Sequence, residues 1–145
     1  MKKTLALAVA ASLAVAGLAS AADLNPIEVR QAGQDLLSGN FTAMSAVVAA
    51  KGDVTKLEKP AKAMARWIKV FPTEFPPGSD KGGNTKALPA VWSDHAGFVK
   101  AADRLAAAAD KLAADAKTGN VQTVAAQLKV VGDACGACHK EYKAR

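Results

Sequence analysis

Apolar residues recur along the chain at intervals of three and four, the spacing that gathers side chains on one face of a helix. Ile27, Leu37, Phe41, Met44 and Val48 make the first such stripe, with Pro26 at its start and Gly52 at its end. Proline is tolerated at a helix start, and Gly33 inside the segment weakens the helix slightly. Val54, Leu57, Ala61, Met64, Ile68 and Phe71 make a second stripe, which Pro60 interrupts. Either the helix starts near Pro60 or it is kinked there. The stretch from Phe71 to Pro89 is dense in proline and glycine and reads as a loop, long for a compact domain. Pro89 opens a third helix, with Val91, Phe98, Ala102, Leu105, Ala109, Leu112 and Ala116 on its inner face. Thr118-Gly119-Asn120 stops it, and Asn120 can cap a fourth helix. The fourth stripe is Val121, Val124, Leu128, Val131, Cys135, Cys138 and Tyr142. No alternating strand or hairpin signal stands out. The links between the first two and the last two helices are short. The pattern predicts an all-α protein, an antiparallel four-helix bundle.

The first residues follow a different rule. "MKK" is a positive start, "TLALAVAASLAVAGL" is uncharged and apolar, and Ala19 to Ala21 are small. The apolar run falls short of the roughly 20 residues that span a bilayer. Residues 1–21 therefore read as a signal peptide cleaved after Ala21. The expected product is one domain, 22–145, periplasmic and not membrane-embedded. The formal net charge is +6, and Lys2 and Lys3 would leave with the leader. The remaining lysines are scattered, so no nucleic-acid footprint emerges. A mildly basic face could steer an acidic partner protein.

The chain has two cysteines, Cys135 and Cys138, with His139 directly after the second. A disulfide is the usual fate of an exported pair. Across two residues inside a helix it is strained, and it leaves His139 without a role. A thioredoxin-type site needs a βαβ context. A structural zinc needs four ligands, and beyond these three only His95 remains. Covalent haem attachment uses all three residues. Both thiols form thioethers with the haem vinyl groups, and the histidine binds the iron. Positions i, i+3 and i+4 share a helix face, so the spacing suits the task. The expected cofactor is haem c, one per chain and covalently attached, with His139 as axial ligand.

Most small c-type cytochromes carry this motif near the N-terminus, whereas here it closes a four-helix pattern. In that respect, and over essentially the whole mature chain, the sequence resembles the class II c-type cytochromes, the cytochrome c′ family. "CGACHKEYK" resembles the family's C-terminal haem motif. "LPAVWSDHAGF" resembles the segment entering its third helix, with Trp92 and Phe98 at matching places. "VRQAGQDLLSGNFTAM" resembles its first helix. The resemblance implies haem held in one end of the bundle, Arg30 near the haem propionates, Trp92 against the haem and Lys143 near the proximal face. Some members keep the iron five-coordinate behind an apolar residue four positions after that arginine. Low-spin relatives place a methionine there and use it as sixth ligand. Here the position is Gln34, which matches neither. The stripe pattern reaches Gln34 independently, as the polar residue of the first helix face. Its amide is either satisfied near the surface or turned into a pocket, where it could hydrogen-bond a ligand or water.

Met44, Met64 and His95 are the other candidates for a sixth ligand. The plainer roles are core filling for the methionines and a helix-start position for His95; Trp67 reads as a packing group. No Ser-His-Asp grouping, phosphate loop or carboxylate pair is present, so the chemistry rests on the haem rather than on an enzyme's own substrate site. The expected function is electron transfer with exported redox partner proteins, or binding of a small diatomic gas such as nitric oxide at a largely five-coordinate iron. The alternative is a low-spin, six-coordinate electron carrier with a side-chain sixth ligand. Whether the bundle forms a homodimer, as many members do through their first two helices, is left open by the sequence.

Overall fold

The computed structural model describes residues 24–145. The leader and its cleavage point lie outside the described residues. Helix α1 runs Pro26–Ala49, α2 Glu58–Val70, the one-turn α3 Ala90–Ser93, α4 His95–Ala116 and α5 Val121–Tyr142. Four long helices thus make the bundle, as the stripes predict, and no strand occurs among the described residues.

Local chemistry sets each boundary. Asn25 caps α1, its Oδ1 accepting from Ile27 N at 2.9 Å, and Pro26 occupies the first turn, where its missing N–H is not needed. Asp53 caps a short 3-10 turn, Val54–Leu57, ahead of α2. Pro60 falls in the first turn of α2, so the second stripe is a helix start and not a kink. Asn120 Oδ1 accepts from Thr123 N at 2.9 Å and begins α5, while Gly119, at φ +70°, makes the left-handed turn that ends the preceding helix.

One boundary differs from the sequence reading. A continuous third helix from Pro89 was expected, but the chain breaks at Asp94, with φ −124° and ψ 52°. The Asp94 carboxylate there accepts from Gly97 N at 3.2 Å and starts α4 afresh. The cap competes with helix continuation, as aspartate side chains do.

The core lies where α4 packs between α2 and α5. Leu105, Ala109, Leu112 and Ala116 of α4 are buried against Met64 and Ile68 of α2 and Val124, Leu128 and Val131 of α5. The many alanines of α4 let its neighbours approach closely. Burying each larger side chain contributes about 1.5–3 kcal/mol. Helix α1 contributes less: of its 24 residues only Ile27, Arg30, Leu37 and Met44 are buried. It packs on the other three less extensively, with Leu37 and Met44 reaching the shared core.

A second, smaller cluster closes one end. Phe75, Val91 and Phe98 are buried there, with Phe71, Trp92, Cys138 and Tyr142 packed on them. The Phe71–Pro89 segment is long but tied down. It begins as a 3-10 turn, Phe71–Glu74. Its far end pairs with the C-terminal tail, Leu88 N donating to Tyr142 O at 3.0 Å and Ala144 N to Lys86 O at 2.8 Å.

Candidate functional site

Between α1 and the rest of the bundle lies a cavity of about 710 Å³, partly open to solvent. That is within the range of cofactor and ligand pockets. Helix α1 supplies one wall through Arg30, Gln34, Leu37 and Phe41. Met64 and Ile68 of α2 and Phe98 and Leu105 of α4 line it further. Helix α5 supplies another wall, and on it stand Cys135, Cys138 and His139.

Both cysteines are free and half-buried. Burial raises both thiols above their ordinary pKa, and the neighbouring Cys135 raises Cys138 further. The imidazole of His139 is held below its usual pKa, first by desolvation and then by the Lys143 cation. It therefore favours the neutral form, the one with a lone pair to offer a metal.

Arg30 is the most unusual residue of the wall. It is only 4% exposed. Its Nη1 donates to Glu74 O at 3.2 Å and Ser79 Oγ at 2.9 Å, and its Nη2 to Ser79 O at 2.7 Å and Thr85 Oγ1 at 2.8 Å. The guanidinium also lies 4.5 Å over the Phe75 ring. Every one of these partners is uncharged. Burial lowers its pKa, and no carboxylate among the described residues pairs with it. A buried charge is ordinarily paired. A cation left without an anion on a cavity wall fits an occupant that brings its own.

The remaining sequence candidates divide. Phe98, 2% exposed, lines the cavity. Gln34 is half-buried on the α1 wall, so of its two sequence readings the pocket-facing one matches its place. Lys143 stands exposed at the rim. Trp92 does not line the cavity. It backs the wall instead, its Nε1 donating to Phe75 O at 3.1 Å and its ring 5.9 Å from that of Phe75. Among the three alternative ligands, Met64, 1% exposed, lines the cavity. Met44 is buried in the core away from it, and His95 is exposed with Nδ1 3.3 Å from Val91 O.

Several contributors escape a reading of the sequence. Ser79 and Thr85, which hold Arg30, sit in a loop with no periodic signal. Phe75 stands in the same loop, yet its ring carries Arg30. Gly33 and Gly97 are glycines inside helices, of which only Gly33 stands out in the sequence, as a weak point of its helix. A side chain at Gly33 would overlap the Trp67 indole, and one at Gly97 would overlap Asp94 and Tyr142.

Two thiols and an imidazole on one wall, apolar side chains around them and an unpaired buried cation opposite together fit haem, a flat apolar group with anionic arms. The comparisons agree. The family model described as "Cytochrome C'" matches residues 25–143. The cytochrome c′ of Rubrivivax gelatinosus is 41% identical over 119 residues, spanning 81% of this chain and 92% of that protein. The crystal structure of that cytochrome c′ superposes with a TM-score of 0.73 at 40% identity, covering 81% of this chain and 94% of that one. A nitric oxide complex of a cytochrome c prime variant from Alcaligenes xylosoxidans superposes with a TM-score of 0.74 at 26% identity, covering 83% of this chain and 94% of that one.

Proposed function

The chain belongs to the cytochrome c′ family, whose members bind haem c, and we propose that it carries one covalent haem in the α1–α5 cavity to transfer electrons and to bind a small diatomic gas. The observation that carries this reading is the placement of Cys135, Cys138 and His139 together on one wall of that cavity. Bound there, haem would supply a reversible one-electron couple and an iron able to take a diatomic ligand.

The chain's own residues do the rest. Cys135 and Cys138 tether the group. His139, its imidazole held below its usual pKa by desolvation and then by Lys143, would offer its lone pair from the α5 wall. Arg30 sets a fixed positive charge against an anionic edge. Leu37, Phe41 and Ile68 keep water out. The wall facing α5 carries the Gln34 amide, a poor iron ligand but a good hydrogen-bond donor. This favours a largely five-coordinate iron, open to a diatomic such as the nitric oxide bound by the Alcaligenes xylosoxidans variant. Export through the leader completes the reading, with Ala22 as the first residue of the periplasmic protein.

The test has two parts. Acid-acetone extraction should leave the colour with the protein, and the mass should exceed that of the apoprotein by one haem. Colour in the organic phase would overturn the covalent reading. Resonance Raman spin-state bands of the ferrous protein should then be high-spin and five-coordinate. Met64, the one alternative ligand on the cavity wall, supports a second reading as a six-coordinate electron carrier. A low-spin spectrum that turns high-spin in Met64→Leu would establish that reading in place of the first.

A further inference from the structure

Tyr142 is the chain's sole tyrosine. It follows Cys138 by four positions and His139 by three on α5, and it lines the same cavity. Helix residues three or four apart are neighbours, about 5–6 Å between Cβ atoms, so its ring stands beside whatever Cys138 tethers. The Tyr142 hydroxyl donates to Asp94 Oδ2 at 3.0 Å, within the reach a positioned base requires. Asp94 is fixed from its other oxygen, Oδ1, which accepts from Gly97 N. Gly97 leaves the room: a methyl there would fall 2.6 Å from Tyr142 Oη and overlap the Asp94 carboxylate. The ring meets Phe98 edge-on at 5.2 Å, and the Tyr142 carbonyl accepts from Leu88 N. Partial desolvation, with Asp94 beside it, keeps the phenolic proton on oxygen to higher pH than usual. A helix cap needs no tyrosine, and an aromatic packing against Phe98 needs no carboxylate.

We propose that Tyr142 and Asp94 form a proton-coupled electron donor to the haem site, acting when that site is oxidised by a hydroperoxide. The proposal rests on the haem reading above. The step balances with the reduced protein. One hydrogen peroxide takes two electrons and two solvent protons and leaves as two waters. One electron comes from the ferrous iron, which becomes ferric. The other comes from the Tyr142 phenol, whose proton passes to Asp94 Oδ2, leaving a neutral phenoxyl radical and a carboxylic acid. Because Asp94 already accepts that proton in a hydrogen bond, the phenol can give up its electron without passing through a radical cation. The oxidising equivalent then sits on a half-exposed side chain at the cavity's edge, within reach of an external reductant.

The experiment uses the ferrous holoprotein mixed with hydrogen peroxide, frozen at intervals and read by EPR, with the pyridine haemochrome spectrum recorded first. Absence of covalent haem in that spectrum would overturn the haem reading and this proposal with it. Haem present without a tyrosyl signal would overturn this proposal alone. The expected result is a tyrosyl hyperfine pattern that narrows when the protein carries ring-deuterated tyrosine. Tyr142→Phe keeps the ring against Phe98 and should lose the pattern. Asp94→Asn keeps an equally good helix cap but offers no base. Its signal should form on the order of a hundredfold more slowly, the low end of what a positioned proton acceptor contributes. Formation at the native rate in Asp94→Asn would reduce the contact to a tie between two helices and refute the proposal.

Discussion

Replacing Gly33 by alanine sets two effects against each other, and the structure decides between them. Gly33 lies in the interior of α1, about a third of the way along it, where alanine is the better helix former by about 1 kcal/mol. On propensity alone the change should stabilise. A methyl at this position, however, would stand 2.6 Å from Cη2 of Trp67 and closer still to Cζ2 and Cε2. Ordinary contact begins near 3.4 Å, so the whole rigid indole must move. It is packed on Phe71, with ring centroids 6.0 Å apart, so a shift breaks that contact, although its Nε1, buried without a hydrogen-bond partner among the described residues, loses none by moving. Overpacking of this kind costs about 1–3 kcal/mol, and a clash with three ring atoms belongs at the upper end. The net expectation is a loss of about 2 kcal/mol, or roughly 8 °C in Tm for a domain of this size. Thermal unfolding of the holoprotein, followed by circular dichroism, measures it. In a Trp67→Leu background the same substitution should change sign and stabilise by about 1 kcal/mol, because only propensity remains. A Gly33→Ala protein with a raised Tm in the native background would show that the indole yields freely, and the reasoning would fail.

Two further outcomes follow from the site. Arg30→Met removes the donor to four uncharged acceptors; it should cost about 2–4 kcal/mol and speed amide exchange between residues 74 and 86 well beyond that elsewhere, which hydrogen-exchange mass spectrometry would read. In the haem-free chain, NMR titration should find the His139 imidazole below its ordinary value, about 6.5, as burial and Lys143 dictate. A folded-state pKa below the unfolded one means that the unfolded chain takes up the proton first. Stability is therefore full above the unfolded value and falls as pH drops toward the folded one, and His139→Gln should remove that part of the decline, as urea unfolding at several pH values would show.

The helices were legible because their apolar spacing is strong: all seven residues assigned to the inner face of the third helix are buried. The break at Asp94 was not, because a capping aspartate and an exposed helical aspartate look alike until Gly97 and Tyr142 are seen around it. Cys135, Cys138 and His139 announced themselves by spacing, since their chemistry demands one helix face. The setting of Arg30 was hidden, because Ser79, Thr85 and Phe75 converge on it from a loop whose fold no local pattern encodes. Trp92, placed by resemblance against the haem, stands one layer behind the cavity wall, where Phe75 intervenes. Sequence gives a residue's neighbourhood along an element well, but not which of two stacked aromatics faces the space.

The loose seating of α1 divides the bundle mechanically. Three helices share a dense common core, while the fourth is held by few buried side chains, the Arg30 clasp and the Trp67 contact at Gly33. Elements with few buried contacts open at lower free energy than the body they lean on. The wall that faces the thiols and the imidazole is therefore expected to open more readily than the wall that bears them. On the haem reading proposed above, substitutions along α1 should then alter how quickly a small molecule enters and leaves, with little effect on how the metal centre is held. Kinetics and ligation can drift separately in such a molecule, one helix carrying each.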